Sequence, residues 1–290
     1  FEKYLNASTE DTLKDSFNSN SYFYSILKDS NAILNNISLI EALITEFPKR
    51  VENKGEFFDF VRLGEIPDFL HEAFINGLFW RDKSCFNNST LNLFVSIFER
   101  NIYTDTLLDV LTALATKLNH PYNAQWLHEF LEKFSMNERD TFWSEFLRKQ
   151  DKTGSVYRIL SWIEKDPPVS EIDAKLYLLI LMWMLTSTNN VLRDRATKGI
   201  YLLGKRFPSL LFSLTIQSLS INDPYVPERM LAASYGVTMA LHNKLDNPNF
   251  CGKELPAFAK NLYNAMFDED AMYSTTHILM RDYAQHIIEI

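Results

Sequence analysis

The sequence is poor in the residues that form tight turns. Its 290 residues include only 8 glycines and 10 prolines, whereas 46% are hydrophobic and 14% are aromatic. Sandwiches and barrels need frequent tight turns, and no segment alternates apolar and polar residues over the length of a strand. The composition therefore predicts a helical chain with ample material for a buried core.

Cysteine, positive charge and long apolar runs are also scarce. Cys85 and Cys251 lie far apart without metal-ligand spacing, which is typical of a reduced, cytoplasmic protein. The net charge of -8 disfavours general binding to nucleic acid or to an anionic membrane. The longest apolar stretch, 176–185, is too short to cross a bilayer and predicts a buried helix. We expect no signal peptide in the opening residues, and we expect the chain to be a piece of a larger protein.

One acid–arginine pattern occurs three times in the C-terminal half. It reads Leu-Arg-Asp-Arg-Ala at 192–196, Val-Pro-Glu-Arg-Met at 226–230 and Met-Arg-Asp-Tyr-Ala at 280–284. The first two copies superpose at an offset of 34 residues, which fits a helix pair with its turns. The pattern predicts an all-α fold, namely an α-solenoid of stacked antiparallel helix pairs similar to HEAT or TPR arrays. Such arrays more often bind partners than catalyse reactions.

Capping residues, prolines and asparagine-rich turns mark where helices begin and end. A composition shift around 151–168 predicts an irregular helical lobe over 1–150 and HEAT-like helical repeats over 151–290, with one continuous solenoid as the alternative. The predicted helices are 21–35, 38–47, 67–80, 89–101, 104–118, 123–134, 137–148, 154–164, 171–186, 190–206, 208–219, 225–242, 256–267 and 273–289.

We interpret the repeated charged residues as a ladder of ion pairs between stacked repeats. Equivalent positions of stacked helices lie about 10 Å apart, a distance that an arginine and a carboxylate can close. We expect Arg195 to pair with Glu228, and the alternative is that these residues bind a partner. The ladder consists of Arg193, Asp194, Arg195, Glu228, Arg229, Arg281 and Asp282.

The helix around residues 191–207 has an apolar face and a separate basic stripe when its residues are placed 100° apart. Its apolar face includes Leu203, which we expect to face the core between helices, as does Leu231. The basic stripe is by default a solvated surface that also complements the helix C-terminus. The alternative is contact with an acidic partner or a phosphate, and the candidate residues for that contact are Lys198, Lys205 and Arg206.

No catalytic, cofactor-binding or metal-binding residues emerge from the motifs. The GxxxxGK spacing at 199–205 lies in an amphipathic helix and is followed by Arg206 in place of Ser or Thr, so it predicts no phosphate loop. The six histidines show no HExxH motif and no zinc spacing with cysteine. We interpret His277 as a capping or inter-helix residue, and Trp143 and Trp183 as core residues. The segment is therefore predicted not to be an enzyme and to hold no cofactor.

Five strings resemble the helical-repeat region of large bacterial STAND NTPases. They are Glu-Arg-Asp-Thr-Phe-Trp-Ser at 138–144, Trp-Met-Leu-Thr-Ser-Thr-Asn-Asn-Val-Leu-Arg-Asp-Arg-Ala-Thr-Lys at 183–198, Asn-Asp-Pro-Tyr-Val-Pro-Glu-Arg at 222–229, Ala-Ser-Tyr-Gly at 233–236 and His-Ile-Leu-Met-Arg-Asp-Tyr-Ala at 277–284. The resemblance covers about residues 138–290. The residues before it share only a helical character.

That family includes the antiviral, AVAST-type defence proteins, in which an effector and an NTPase precede a helical-repeat sensor. The resemblance implies that this chain is a sensor segment that recognises a phage portal or terminase protein, after which the parent protein oligomerises. It implies a protein partner and no direct contact with nucleic acid or membrane. The alternatives are a generic helical-repeat scaffold or adaptor for protein–protein interaction, and an unrecognised helical enzyme.

Overall fold

The structure is a computed structural model that describes Ile75, Leu78 and residues 104–242 and 248–290. Every regular element in these residues is helical, which confirms the predicted all-α class. The chain divides into two compact units, Phe1–Val110 and Leu111–Ile290. The predicted lobe boundary at residue 150 lies inside the second unit.

The described helices are numbered here in chain order. Two segments, Asp140–Ser144 and Phe250–Glu254, are π-helical. Of the helices predicted before residue 104, only Ile75 and Leu78 lie within the described residues, and both are helical and buried. The α-helices are α1 (Thr104–Ala115), α2 (Ala124–Leu131), α3 (Met136–Arg139), α4 (Glu145–Lys149), α5 (Ser155–Ile163), α6 (Glu171–Met184), α7 (Asn190–Arg206), α8 (Pro208–Ser218), α9 (Tyr225–His242), α10 (Leu255–Met266) and α11 (Ile278–Glu289).

Side-chain caps explain where several helices begin. Ser170 accepts a hydrogen bond from the Asp173 amide before α6. Asn189 accepts from two amides at the start of α7, and His277 accepts from the Met280 amide at the start of α11. Each cap satisfies amides that have no partner inside the first helical turn. The predicted capping role of His277 is therefore confirmed.

The π-helical segment Asp140–Ser144 interrupts what the sequence predicts as one helix over 137–148. A π-helical turn inserts an extra residue and changes which side chains face inward after it. Trp143 is fully buried here, and its indole Nε1 donates to the Trp183 carbonyl at 2.9 Å. Trp183 is fully buried as well, so both tryptophans belong to the core as predicted.

Seven helices of the second unit, α5 to α11, form two rows of contacting neighbours, and α2, α3 and α4 belong to neither row. One row consists of α5, α7, α9 and α11, each in contact with the next, and the other consists of α6, α8 and α10. Asp194 on α7 contacts Arg229 on α9, and Gly204 on α7 lies against Val237 on α9. The first contact lies near the start of both helices and the second lies farther along both, so α7 and α9 run parallel. Leu203 and Leu231 are buried, as predicted.

The ends of several predicted helices differ from the structure. α1 ends at Ala115 and α2 at Leu131, each three residues before its predicted end. α11 begins at Ile278, so the predicted start at residue 273 is wrong. The Tyr273 amide donates to the Ala265 carbonyl at 2.9 Å, which holds the segment before α11 against the end of α10 instead of continuing a helix. α10 begins at Leu255, directly after the second π-helical segment.

Candidate functional site

A two-point ion pair joins Arg195 on α7 to Glu164, the residue that caps the end of α5. The guanidinium donates from Nε to Oε1 at 3.0 Å and from Nη2 to Oε2 at 2.8 Å, which is a two-point contact. These hydrogen bonds lower the pKa of Glu164, and the positive charge of Arg195 lowers it further. Both side chains are about three-quarters buried, so the pair is better shielded from solvent than a surface pair.

Two further pairs continue along the same row of helices. Arg229 on α9 donates to Asp194 on α7 at 2.8 Å, and His277 at the start of α11 lies 3.6 Å from Glu228 on α9. In all three pairs the acid belongs to the earlier helix and the basic group to the later one. The row α5, α7, α9 and α11 is thus linked at every step by one acid–base contact.

The predicted pair Arg195–Glu228 is not formed, and that prediction is wrong. Arg195 pairs with Glu164 at the end of α5, which precedes α7 in the row, and not with Glu228 on α9, which follows α7 in the row. The sequence could not choose between the two directions, since the repeated motif places an acid and an arginine side by side in both copies.

The third copy of the motif does not join this row of pairs. Arg281 donates to the Thr275 carbonyl at 3.3 Å and lies over the Phe267 ring, whereas Asp282 lies 3.5 Å from His286 on its own helix. None of these three contacts is an ion pair between helices, and His277 occupies the place that an arginine takes in the earlier helices. The prediction that Arg281 and Asp282 form inter-repeat pairs is therefore wrong.

Arg193 is buried and holds the connection before α7. Its guanidinium donates to the Ser187 carbonyl at 2.8 Å and to the Asn190 side chain, and it lies 4.0 Å from the centroid of the Tyr225 ring. It makes no ion pair with another helix within the described residues. Arg193 therefore belongs with the loops between helices, and its predicted place among the ion pairs is corrected.

The basic stripe on α7 is only partly available to a partner. Arg206 donates to the Pro167 carbonyl at 2.6 Å and lies 3.5 Å from the Asp166 carboxylate, so it holds the connection between α5 and α6. Lys205 lies over the Tyr201 ring, and Lys198 is exposed. A partner contact by these three residues stays a prediction, to which Lys198 is best suited.

The first turns of α7, α9 and α11 carry exposed apolar side chains. We call this surface the N-terminal edge and define it by Val191, Tyr225 and Ile278, which are 63%, 43% and 79% exposed. The Arg193–Tyr225 and Glu228–His277 contacts show that these three turns are neighbours. Exposed apolar residues grouped on adjacent elements are a feature of surfaces that bind other proteins.

Buried charges support the loops beneath the N-terminal edge. Arg139 is only 1% exposed, donates to the Phe134 carbonyl at 2.9 Å and lies over the Trp183 ring. Asp223 is also buried and accepts from the Tyr225 amide at 3.0 Å. Burial raises the pKa of Asp223, while that hydrogen bond and the charge of Arg139 act in the opposite direction. Because Asp223 fixes the turn before α9, it positions Tyr225 at the edge.

The sequence indicated this turn but not the role of its acid. Asn222, Asp223 and Pro224 are typical turn residues, and an aspartate that bonds an amide two residues later is a known turn device. The attraction between Asp223 and Arg139 joins residues more than eighty positions apart, and no local pattern predicts it.

The second row of helices contains a groove between α8 and α10. Its volume is about 440 Å³, and the rings of Phe212 and Phe258 stack at its base with centroids 4.0 Å apart. One oxygen of Glu254, Oε2, is buried without a hydrogen-bond partner among the described residues. The sequence did not single out this groove. It is lined by Ser209, Phe212, Ser213, Ile216, Gln217, Lys253, Glu254, Ala257, Phe258 and Asn261.

Three features of the described residues concern phosphate binding, metal binding and membrane insertion. The GxxxxGK spacing lies wholly within α7, so its amides after the first turn are bonded inside the helix. Residues 104–242 and 248–290 contain no group of three or more His, Cys, Asp or Glu side chains placed to hold a metal ion. None of the helices in these ranges combines the length and apolar character needed to cross a membrane.

Comparisons of the chain with protein-family models, with curated proteins and with solved structures give no match.

Proposed function

We propose that this chain is a non-catalytic helical-repeat segment that binds a protein partner through the N-terminal edge. One observation carries the proposal: three adjacent helices each present an exposed apolar side chain at the same end, namely Val191, Tyr225 and Ile278. Aromatic side chains such as that of Tyr225 are common anchors of protein interfaces, and the core of an interface is usually apolar with a polar rim around it.

The two rows of helices support a solenoid of stacked antiparallel pairs, similar to HEAT or TPR arrays. In this arrangement α5, α7, α9 and α11 form one side, and α6, α8 and α10 form the other. Stacked repeats create extended surfaces from equivalent positions of successive units, and partners bind along them. The N-terminal edge has this property, because it uses the first turn of three helices in one row.

In its sharper form, the proposal is that the chain is the sensor segment of a bacterial STAND NTPase. Its partner would be a phage protein of the portal or terminase class, recognised in the cytoplasm, and binding would trigger antiviral defence and oligomerisation of the parent protein. The segment would itself hold no cofactor. The resemblance supports this identity. Its strings 183–198, 222–229 and 277–284 also contain the three residues that define the N-terminal edge, Val191, Tyr225 and Ile278.

The proposal is tested by co-expressing the full-length protein with single phage structural and packaging proteins. Toxicity and pull-down are scored for the wild type and for a variant with Val191→Asp and Tyr225→Asp. We expect one phage protein to be retained by the wild type and lost by this variant, because aspartate places a charge where apolar contact is needed.

The matched control is Ile172→Asp on α6, since Ile172 is an apolar residue of similar exposure, 61%, outside the edge. Retention of the partner by the edge variant, or equal loss in the control, would show that the edge is not the contact surface. A scaffold or adaptor without a sensor role predicts no response to any phage protein.

A further inference from the structure

The outer side of α7 carries two lysines that lie in line along the helix. Lys198 and Lys205 are seven residues apart, so they project from the same side, about 10 Å apart along the helix axis. Lys198 is exposed and Lys205 is half-exposed. Neither lysine makes an ion pair within the part of the chain that the structure describes. We call this surface the lysine face and define it by Lys198, Tyr201 and Lys205.

The acids on either side of the lysine face are engaged by arginines. Toward α5, both carboxylate oxygens of Glu164 accept from Arg195. Toward α9, Asp194 accepts from Arg229 at 2.8 Å. The pKa of Glu164 is lowered chiefly by the hydrogen bonds from Arg195, and Lys198 has the smallest influence on it. The two lysines are therefore a local excess of positive charge on a protein whose net charge is -8.

Two tyrosine rings border this line of positive charge. On the α5 side, the Arg195 guanidinium lies over the Tyr157 ring, 5.3 Å from its centroid. On the α9 side, Lys205 Nζ lies 5.3 Å from the centroid of the Tyr201 ring, which packs so closely on Gly236 that a Cβ there would lie 3.3 Å from it. Both rings are half-buried, and each hydroxyl can donate to a carboxylate. Rings that partly exclude water strengthen an ion pair beside them.

We propose that the lysine face binds an acidic protein segment, with one carboxylate on Lys198 and a second on Lys205. The charges are complementary, because the acids of the protein itself leave these two lysines without a partner. In the polyproline II conformation, residues three positions apart lie on the same side of the chain and about 9 Å apart. That spacing matches the two lysines, so a segment with Asp or Glu at every third position can reach both.

The size of the lysine face favours a short protein segment over a nucleic acid. Binding to nucleic acid usually depends on many phosphate contacts, each with its own cation. Only two such cations lie on this face, and the net charge of -8 repels a long polyanion. Two carboxylates at the right spacing are sufficient to neutralise the lysines.

This inference goes beyond the proposed function, because it assigns a second surface and specifies the charge of its ligand. Lys198 and Lys205 lie about two and four helical turns beyond Val191, so they can be altered without changing the N-terminal edge.

The test uses a fluorescein-labelled peptide of four Glu-Pro-Pro repeats and the full-length protein. Its dissociation constant is measured by fluorescence polarisation at low ionic strength, beside a peptide with glutamine in place of every glutamate. We expect the glutamate peptide to bind at least tenfold more tightly than the glutamine peptide. The double variant Lys198→Gln and Lys205→Gln should weaken binding of the glutamate peptide at least tenfold, because glutamine removes the positive charge.

The matched control is the double variant Lys175→Gln and Lys260→Gln. These two lysines are exposed on α6 and α10, in the other row of helices, and their loss changes the net charge by the same amount. The control should alter binding less than twofold. Circular dichroism shows whether each variant is folded.

Equal binding of the two peptides, or equal loss of binding in the two double variants, would overturn the inference. So would tighter binding of a single-stranded oligothymidylate of equal charge that is lost in the Lys198 and Lys205 variant, because it would assign the lysine face to nucleic acid. Tyr225→Asp should leave the affinity for the glutamate peptide unchanged. Failure of the proposed function at the N-terminal edge is therefore distinguishable from failure of this inference.

Discussion

At the scale of single residues, the repeated acid–arginine motif contributes to packing between helices. Arg195 and Arg229 each extend to an acid on the preceding helix, and both contacts are at hydrogen-bond distance. Charged groups that are already paired with each other are poorly available to a partner. This favours a structural interpretation of the motif and leaves recognition to side chains outside it.

The Arg195–Glu164 pair should contribute measurably to stability. Its two-point geometry and partial burial place it near the upper end of the range for such pairs, so we expect a coupling of about 1 kcal/mol. The measurement is a double-mutant cycle on Arg195→Ala and Glu164→Ala, followed by denaturant unfolding. A parallel cycle on Arg195→Ala and Glu228→Ala should give a coupling near zero. Equal couplings in the two cycles would contradict the pairing described above.

His128 should make the stability of the protein depend on pH. Burial lowers the pKa of its imidazole, and this effect outweighs the opposite influence of Glu132 and Glu129. Its Nδ1 accepts a hydrogen bond from the Trp183 indole at 3.1 Å, which requires the neutral ring or the loss of that bond. Because the folded-state pKa lies below the unfolded value of about 6.5, the contribution of neutral His128 is present above that pH and is lost as the pH falls.

The corresponding measurement compares the free energy of unfolding at pH 7.5 and pH 5.5 for the wild type and for His128→Gln. Glutamine keeps an acceptor for the indole but does not titrate, so the variant should lose less stability between the two pH values. An identical loss in both proteins would show that His128 is not the group responsible.

At the scale of helices, the sequence predicts ends well where a cap or a proline marks them. The predicted helices 190–206 and 225–242 coincide with α7 and α9. The start of α11 was missed, because the segment before it is held by a backbone hydrogen bond to α10 that no local signal reveals. The first π-helical segment was missed for a similar reason, since it contains Trp143, whose indole donates to the distant Trp183 carbonyl.

Two glycines should respond in opposite ways to the same substitution. A Cβ on Gly204 would collide with the Leu211 side chain and lie 3.1 Å from Val237, so Gly204→Ala should destabilise the protein by about 1–3 kcal/mol. A Cβ on Gly252 would meet nothing within 4 Å. Gly252→Ala should therefore be neutral or stabilise by up to about 1 kcal/mol, because it restricts the unfolded chain.

Thermal or urea unfolding of the two glycine variants, measured side by side, checks this expectation. If Gly204→Ala were as stable as Gly252→Ala, the close approach of α7, α8 and α9 around Gly204 would be wrong.

At the scale of the whole molecule, the sequence predicted the helical class, but it located the surfaces only in part. Of the cations on α7 that it proposed for recognition, Arg206 is instead engaged with a connecting loop. The exposed residues of the N-terminal edge come from three separate helices, and only their packing reveals them as one surface. The groove between α8 and α10 has the same origin, because its two walls are about forty residues apart in the sequence.

The ion pairs between helices and the exposed side chains of the N-terminal edge have different roles, packing and recognition. The ion pairs join neighbouring helices, so their loss should lower stability without directly removing a binding contact. The edge side chains are exposed, so their loss should remove a contact at little cost to the fold. A single comparison of affinity and stability can therefore separate recognition from packing.

The most direct measurement is the affinity of the full-length protein for the phage protein that it retains in co-expression, compared between Tyr225→Asp and Arg195→Ala. We predict that Tyr225→Asp weakens binding at least tenfold while the protein stays folded, and that Arg195→Ala changes affinity less than threefold once the folded fraction is taken into account. The opposite result, with binding lost in Arg195→Ala and kept in Tyr225→Asp, would contradict the account and would make the charged motif the binding site.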